Sequence, residues 1–260
     1  MKDTGQNTPL VSVIMPLYNC ERFVGEAIES VKAQTLRDWE LVIVNDCSTD
    51  GSMGVVDEFM ASDDRIRVVQ HEHNKGAAQA RNTALRHVTG RYVAYFDADD
   101  VWYPYKLEHQ LAFMKDTGST MCFTSYETIE EDGTFRNVVH VPASIDYNGF
   151  LKNTITCSHT IMFDLSEVSI ETLLVPDTNT DYDFPEDMDT WLRALKRGAR
   201  ARGLDEVLAK NRKHGASRSA NHTAAVGRTW NQYRRREGLP LLYACYCLFW
   251  QLFHAVKKRI

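Results

Sequence analysis

Three carboxylates fall within four positions at Asp97-Ala98-Asp99-Asp100, at the end of the apolar run Tyr92-Val93-Ala94-Tyr95-Phe96. Like charges this close repel, so the cluster calls for a compensating cation. Carboxylate oxygens are hard ligands that suit Mg²⁺ or Mn²⁺, and Mg²⁺ is usually shared between one or two carboxylates and substrate phosphates. The β-prone run suits a buried strand, and open α/β sheets place ligands at the carboxyl ends of their strands. The spacing therefore points to a metal–diphosphate site. An acidic cap on the helix after Pro104 is the plainer alternative.

Other candidates sit where further strands should end. Pro16-Leu17-Tyr18-Asn19 closes the first apolar run: the proline fixes the turn, Tyr18 can stack on a base, and Asn19 can cap the next helix. Read alone, this is simply a strand–helix turn. Asp46 closes the second run. A carboxylate there can accept the N3–H of uracil, a donor that cytosine lacks, or can merely cap a helix. Asn74-Lys75-Gly76 leads a helix with Arg81 on its second turn, and both helix N-termini and arginines favour phosphate. There is no GxxxxGK[ST] loop and no GxGxxG.

The elements that must position these residues alternate regularly. Strands are predicted over 11–16, 41–44, 66–69 and 92–96. Helices follow over 20–33, with Phe23, Ala27, Ile28 and Val31 on one face, around Val55–Met60, and from Gly76 to about His87. This β-α-β-α-β-α-β order implies a Rossmann-like, mostly parallel central sheet flanked by helices. Beyond Asp100 a helix over 104–115, a hairpin of 120–129 and 135–141 turning at Glu131-Asp132-Gly133, a short helix over 147–152 and a short strand over 160–165 are expected. Residues 173–185 read as irregular, and 190–196 as a helix ended by Gly198.

At 260 residues with 43% hydrophobic and 25% charged, the composition is that of an ordinary globular protein. The net charge of −5 hides an asymmetry: residues 1–192 carry 14 Lys/Arg against 32 Asp/Glu, and 193–260 carry 16 against 3. The acidic body argues against a nucleic-acid partner, whereas the basic end suits anionic phosphates, a membrane surface, or salt bridges to the acidic half. Six cysteines without a CxxC pair, and no leading signal sequence, read as reduced thiols in the cytoplasm.

Taken in order, Val13-Ile14-Met15-Pro16-Leu17-Tyr18-Asn19, Val44-Asn45-Asp46-Cys47-Ser48-Thr49-Asp50-Gly51, Asn74-Lys75-Gly76 with Ala80-Arg81-Asn82, and Phe96-Asp97-Ala98-Asp99-Asp100 resemble the family 2 glycosyltransferases of GT-A fold. The match is strong over residues 10–115 and looser to about Ser219. The resemblance implies an inverting, metal-dependent enzyme using Mn²⁺ or Mg²⁺. Its donor would be a nucleotide-sugar, UDP-linked on the Asp46 reading, and its acceptor a glycan or lipid-linked glycan of bacterial surface polysaccharide. By that resemblance Pro16, Tyr18, Asn19, Asp46, Lys75, Gly76, Arg81, Asp97 and Ala98 line the nucleotide site, and Asp99 with Asp97 and His214 hold the metal. Asp187 is the base and Glu186 its helper, although an acidic first turn that merely favours the helix dipole explains that pair equally simply. The loop Asn211–Ser219 would carry His214 to the metal or the diphosphate, with Arg212 and Lys213 steering the donor; an exposed basic loop is its alternative. Two other classes stay in play: an inactive sugar-nucleotide-binding scaffold, and a sugar nucleotidyltransferase, whose usual glycine-rich loop is replaced here by Pro16-Leu17-Tyr18-Asn19.

The expected organisation is a loose 1–9, a GT-A domain over 10–219 split into a donor half (10–115) and an acceptor half (116–219), and C-terminal helices over 220–260. In the last part, Arg234-Arg235-Arg236 and Lys257-Lys258-Arg259 flank the uncharged stretch Leu239–Val256, which Pro240 starts as a helix. Basic clusters at both ends of an aromatic-rich helix fit peripheral attachment at the cytoplasmic face of the inner membrane through 234–260. Packing on the catalytic domain is the other reading, and a true span the weakest.

Overall fold

The computed structural model describes residues 8–153, 157–176, 184–215 and 222–257. The expected alternation is present as Val11–Leu17 (β1), Glu21–Lys32 (α1), Trp39–Asn45 (β2), Ser52–Ser62 (α2), Ile66–Gln70 (β3), Gly76–Leu85 (α3) and Tyr92–Tyr95 (β4). Side chains alternate across these strands because the strand repeat is two residues. Val13, Met15, Leu41 and Ile43 face one core with Ile28 and Val31 of α1. Ile14, Val42, Val93 and Tyr95 face the other with Ala80 and Ala84 of α3. Both faces are covered, so the strands read as continuous apolar runs.

β3, β2, β1 and β4 pair in parallel. Pro16 is tolerated near the end of β1 because Ile14, two residues earlier, uses the β4 side, where its carbonyl accepts from Phe96 N at 3.0 Å. β4 has no registered pair beyond that point, so the missing donor breaks no ladder bond.

The second half comprises Val101–Trp102 (β5), Lys106–Thr117 (α4), Met121–Glu130 (β6), Phe135–Val139 (β7), Tyr147–Phe150 (α5), Met162–Asp164 (β8), Ile170–Leu173 (α6), Glu186–Lys196 (α7) and Ala201–Lys213 (β9). β8 runs antiparallel between β4 and β6 and so joins the two halves into one sheet, ordered β3-β2-β1-β4-β8-β6-β9-β5. The β6–β7 hairpin forms as expected. β9 does not follow from the sequence reading, which saw a loop around Arg212. Its residues lack a clean alternation, and they become a strand by pairing with β6 through two register shifts. Gly203 lies where β9 passes closest to its neighbours: an added Cβ would sit 2.0 Å from the Pro142 carbonyl oxygen and 2.7 Å from Phe123.

Two further expectations change. Asn19 does not cap α1. It adopts a positive φ of 47°, and its Oδ1 accepts from Thr49 N at 2.8 Å, stitching the β1–α1 turn to the loop after β2. The helix expected from Thr190 begins four residues earlier, at Glu186. Most of the irregular stretch before it, 177–183, lies outside the described residues.

The C-terminal part consists of His222–Asn231 (α8), a π-helical turn Gln232–Arg236, and Leu241–Lys257 (α9). It packs on the rest of the chain. Gln232 Nε2 donates to Asp189 Oδ1 at 3.0 Å, and Lys196 pairs with Glu237 at 2.5 Å. The Tyr233 hydroxyl donates to the Leu151 carbonyl. Ala244, Cys247 and Gln251 form the buried stripe of α9, while Leu242, Phe249, Phe253 and Val256 are exposed. Among the described residues no helix is long and apolar enough to cross a membrane.

Candidate active site

The carboxyl ends of β1, β2 and β4 converge on one crevice, and α3 and α7 close it. Asp46, at the end of β2, is buried and organises the next helix. Its Oδ1 accepts from Lys75 N at 2.8 Å and Oδ2 from Gly76 N at 2.7 Å, while His71 Nδ1 lies 2.7 Å from Oδ1. Gly76 supplies the left-handed φ of 82° that turns both amides toward one carboxylate. The capping reading of Asp46 therefore holds, though for α3 rather than α2. A carboxylate oxygen has two lone pairs, so Oδ2 keeps one for a further donor. His71, with Nε2 2.9 Å from Thr83 Oγ1, is a member of this cluster that the sequence did not single out. Tyr18, half exposed, and the exposed Lys75 side chain border the crevice.

Arg81 points from the second turn of α3 into the middle of the site. Its guanidinium reaches Asp97 Oδ1 at 2.6 Å and Glu186 Oε1 at 3.4 Å. Burial opposes its charge, but Asp97 and Glu186 outweigh that and hold it protonated. The arginine expected to contact phosphate is thus engaged in joining the β4 terminus to the first turn of α7. Asp187, the next residue, accepts from Met188 N at 2.7 Å and is half-buried. Tyr95 and Trp191, edge to face at 4.8 Å, wall the same cleft together with Arg81, Glu186 and Asp187.

Beyond β4, Ala98 is buried and its carbonyl accepts from Cys20 Sγ at 3.4 Å. Burial, then Asp99, pushes the Cys20 thiol up to about 12, so it stays neutral. Asp99 lies 2.8 Å from His214 Nε2. His214 is held by the Phe23 ring at 5.3 Å, which explains why Phe23 faces this corner rather than the core of α1. Burial, then Asp100 and Asp97, raise the Asp99 carboxyl to about 6, only partly offset by His214. The exposed-loop alternative for His214 is set aside, whereas 216–219 lie outside the described residues. Arg212 does not steer a donor. It is buried within β9, where its amide donates to Asp100 Oδ1 at 2.8 Å and its guanidinium to the Asp99 carbonyl at 3.0 Å and Glu26 at 2.6 Å.

Among the described residues, a divalent cation is offered one set of three ligands and, beside it, a set of two. Asp97, Asp100 and His159 bring ligand atoms within 4.8 Å of one another. Within this set His159 Nδ1 is 2.7 Å from Asp100, yet neither ring nitrogen finds an aligned hydrogen-bond partner. His159, from the turn before β8, carried no sequence signal, since only tertiary packing brings it under the strand end. Asp99 with His214 forms the other set. Asp100 and His159 are 2% and 0% exposed, beneath the strand end. Asp99, Asp97 and His214 keep an open side.

A model of glycosyl transferase family 2 matches residues 12–166. The chain is 41% identical over 253 residues to a putative teichuronic acid biosynthesis glycosyltransferase, TuaG, of Bacillus subtilis, covering 97% of this chain and 98% of that one. It is 37% identical over 227 residues to the Escherichia coli UDP-Glc:α-D-GlcNAc-diphosphoundecaprenol β-1,3-glucosyltransferase WfgD, covering 85% and 84%. In fold it resembles S. aureus TarS 1-349 solved with UDP-GlcNAc, with a TM-score of 0.68 and 23% identity over 82% of this chain and 61% of that one.

Proposed function

Since the chain belongs to glycosyl transferase family 2, we propose that it transfers a sugar from a UDP-linked donor, with inversion, to a hydroxyl of a lipid-linked glycan acceptor in bacterial surface polysaccharide synthesis. The observation that carries this reading is Arg81 spanning from Asp97, after β4, to Glu186 beside Asp187, with Asp46 and Asp99 following the carboxyl ends of β2 and β4 in the same parallel sheet. The donor and acceptor classes are supported by relatives such as WfgD, named for UDP-Glc and a diphosphoundecaprenol-linked sugar.

In this reading Asp46 accepts the uracil N3–H through the remaining lone pair of Oδ2, and Tyr18 lies against the base. Pro16, Asn19, Lys75, Gly76 and Ala98 shape the nucleotide cleft. Asp99, with Asp97 and His214 beside it, would hold Mn²⁺ or Mg²⁺, which when bound neutralises charge on the departing diphosphate. Asp187 takes the proton of the acceptor hydroxyl as that oxygen attacks the anomeric carbon from the face opposite the diphosphate. Glu186 and Arg81 fix the distance between base and donor. An α-linked donor then gives a β-linked product. The exposed apolar face of α9, with the exposed Arg234 and Arg235 before it, supports peripheral attachment to an anionic membrane surface.

Calorimetric titration with UDP-, GDP-, dTDP- and CMP-sugars, each with Mn²⁺ and with chelator, tests the reading. One UDP-sugar should bind only with metal, and Asp99→Asn should abolish that dependence. Metal-independent binding, or binding by none, would favour an inactive scaffold.

A further inference from the structure

The basic triplet that starts the C-terminal part is not uniformly turned to solvent. Arg234 and Arg235 are exposed, whereas Arg236 is half-buried at the end of the π-helical turn and lies over the Phe184 ring, 4.7 Å from its centroid. Phe184 is three residues before Asp187, at most about 10 Å of extended chain. A π-helical turn widens the helix by one residue and is frequent at functional sites. Here it begins at Gln232, whose side chain is pinned to Asp189 on α7 at 3.0 Å. Arg236 is thereby carried to the acceptor side of the cleft.

Among the described residues Arg236 makes the ring contact but no ion pair. Among the described residues, Glu237 is engaged with Lys196 at 2.5 Å and with the Tyr147 hydroxyl, and Asp189 with Gln232 and, at 3.5 Å, with Arg193. Burial is the main cause that pulls the Arg193 guanidinium down despite Asp189, with smaller contributions from Arg197 and Arg236 nearby. A planar guanidinium resting on an aromatic face keeps its N–H edge free, and that edge matches phosphate oxygens in bidentate fashion.

We propose that Arg236 binds the diphosphate of the lipid-linked acceptor and so positions the acceptor sugar against Asp187. This rests on the acceptor reading above. In an acceptor whose diphosphate sits on the sugar that is glycosylated, as in the one WfgD is named for, the base and the diphosphate-binding group would lie within roughly one sugar length plus a side chain, which the Phe184 link allows. Arg236 acts on selectivity for a diphosphate-bearing acceptor and takes no part in the proton transfer.

The test is equilibrium binding of undecyl diphosphate to the full chain, with UDP and Mn²⁺ saturating to occupy the donor site. Wild type should bind it. Arg236→Gln should lose at least tenfold in affinity, and Arg236→Lys, which keeps the charge but not the planar fork, should recover only part of it, with melting temperatures unchanged. Wild type that does not bind, or an Arg236→Gln protein that binds equally, overturns the proposal. Inorganic pyrophosphate bound as tightly as undecyl diphosphate overturns the lipid-linked source. UDP binding measured without lipid is read separately: its absence would remove the donor reading and leave the Arg236 comparison standing.

Discussion

Lys106, on the first turn of α4, is fully buried with no carboxylate in reach. Its Nζ donates to Gln110 Oε1 at 2.7 Å and lies 4.1 Å from the centroid of the Trp102 ring. Burial pulls the ammonium from 10.5 down to about 7. The native state therefore binds fewer protons here than the unfolded chain between pH 7 and 10.5, and unfolding free energy rises with pH across that window. At about 1.4 kcal/mol per unit, burying this group costs on the order of 4 kcal/mol at pH 7 and about 2 kcal/mol at pH 9. Lys106→Met keeps the volume and removes the charge, losing about 1 kcal/mol for the Gln110 bond. The variant should be more stable than wild type by about 3 kcal/mol at pH 7, and the advantage should shrink by about 2 kcal/mol at pH 9. Urea unfolding of both proteins at the two pH values measures this. Parallel pH dependences would refute the argument, because they would mean that Lys106 titrates in the native state as it does unfolded. The site is affected indirectly: Gln110 also donates to the Thr160 carbonyl at 2.8 Å, beside His159.

Two substitutions probe other parts of the reasoning. Asp187→Asn should leave UDP-sugar affinity unchanged while lowering turnover by at least about a hundredfold, the usual scale for losing a general base, and near-normal turnover in a transfer assay would remove it from that role. Gly203→Ala forces a methyl against the Pro142 backbone, which cannot rotate away, and should cost about 3 kcal/mol or more in thermal unfolding. A change under about 1 kcal/mol would mean that the β9 crossing is looser than described.

Residues 10–115 were legible because their signals are local. Apolar runs of strand length ending in Pro16, Asp46 and Asp97 fix where the sheet stops, and Asp50-Gly51 and Gly76 fix where helices follow. Residues 116–219 were less so. Glu186 and Asp187 could be located, with an acidic first turn as one reading of them, but the apolar pattern starts the helix only at Thr190, four residues late.

What the sequence alone determined is the order of elements and the carboxylates at their ends, because strand and turn chemistry act between near neighbours. Tertiary structure decided which of those charges meet. Arg81 reaches Glu186 across 105 positions, His159 comes under Asp100 across 59, and Asp99 touches His214 across 115. β9 became a strand only by finding β6, and Arg212 a buried anchor only because β9 ends beside Asp100. Such pairs depend on where the folded sheet brings distant segments together, and no spacing along the chain encodes that distance.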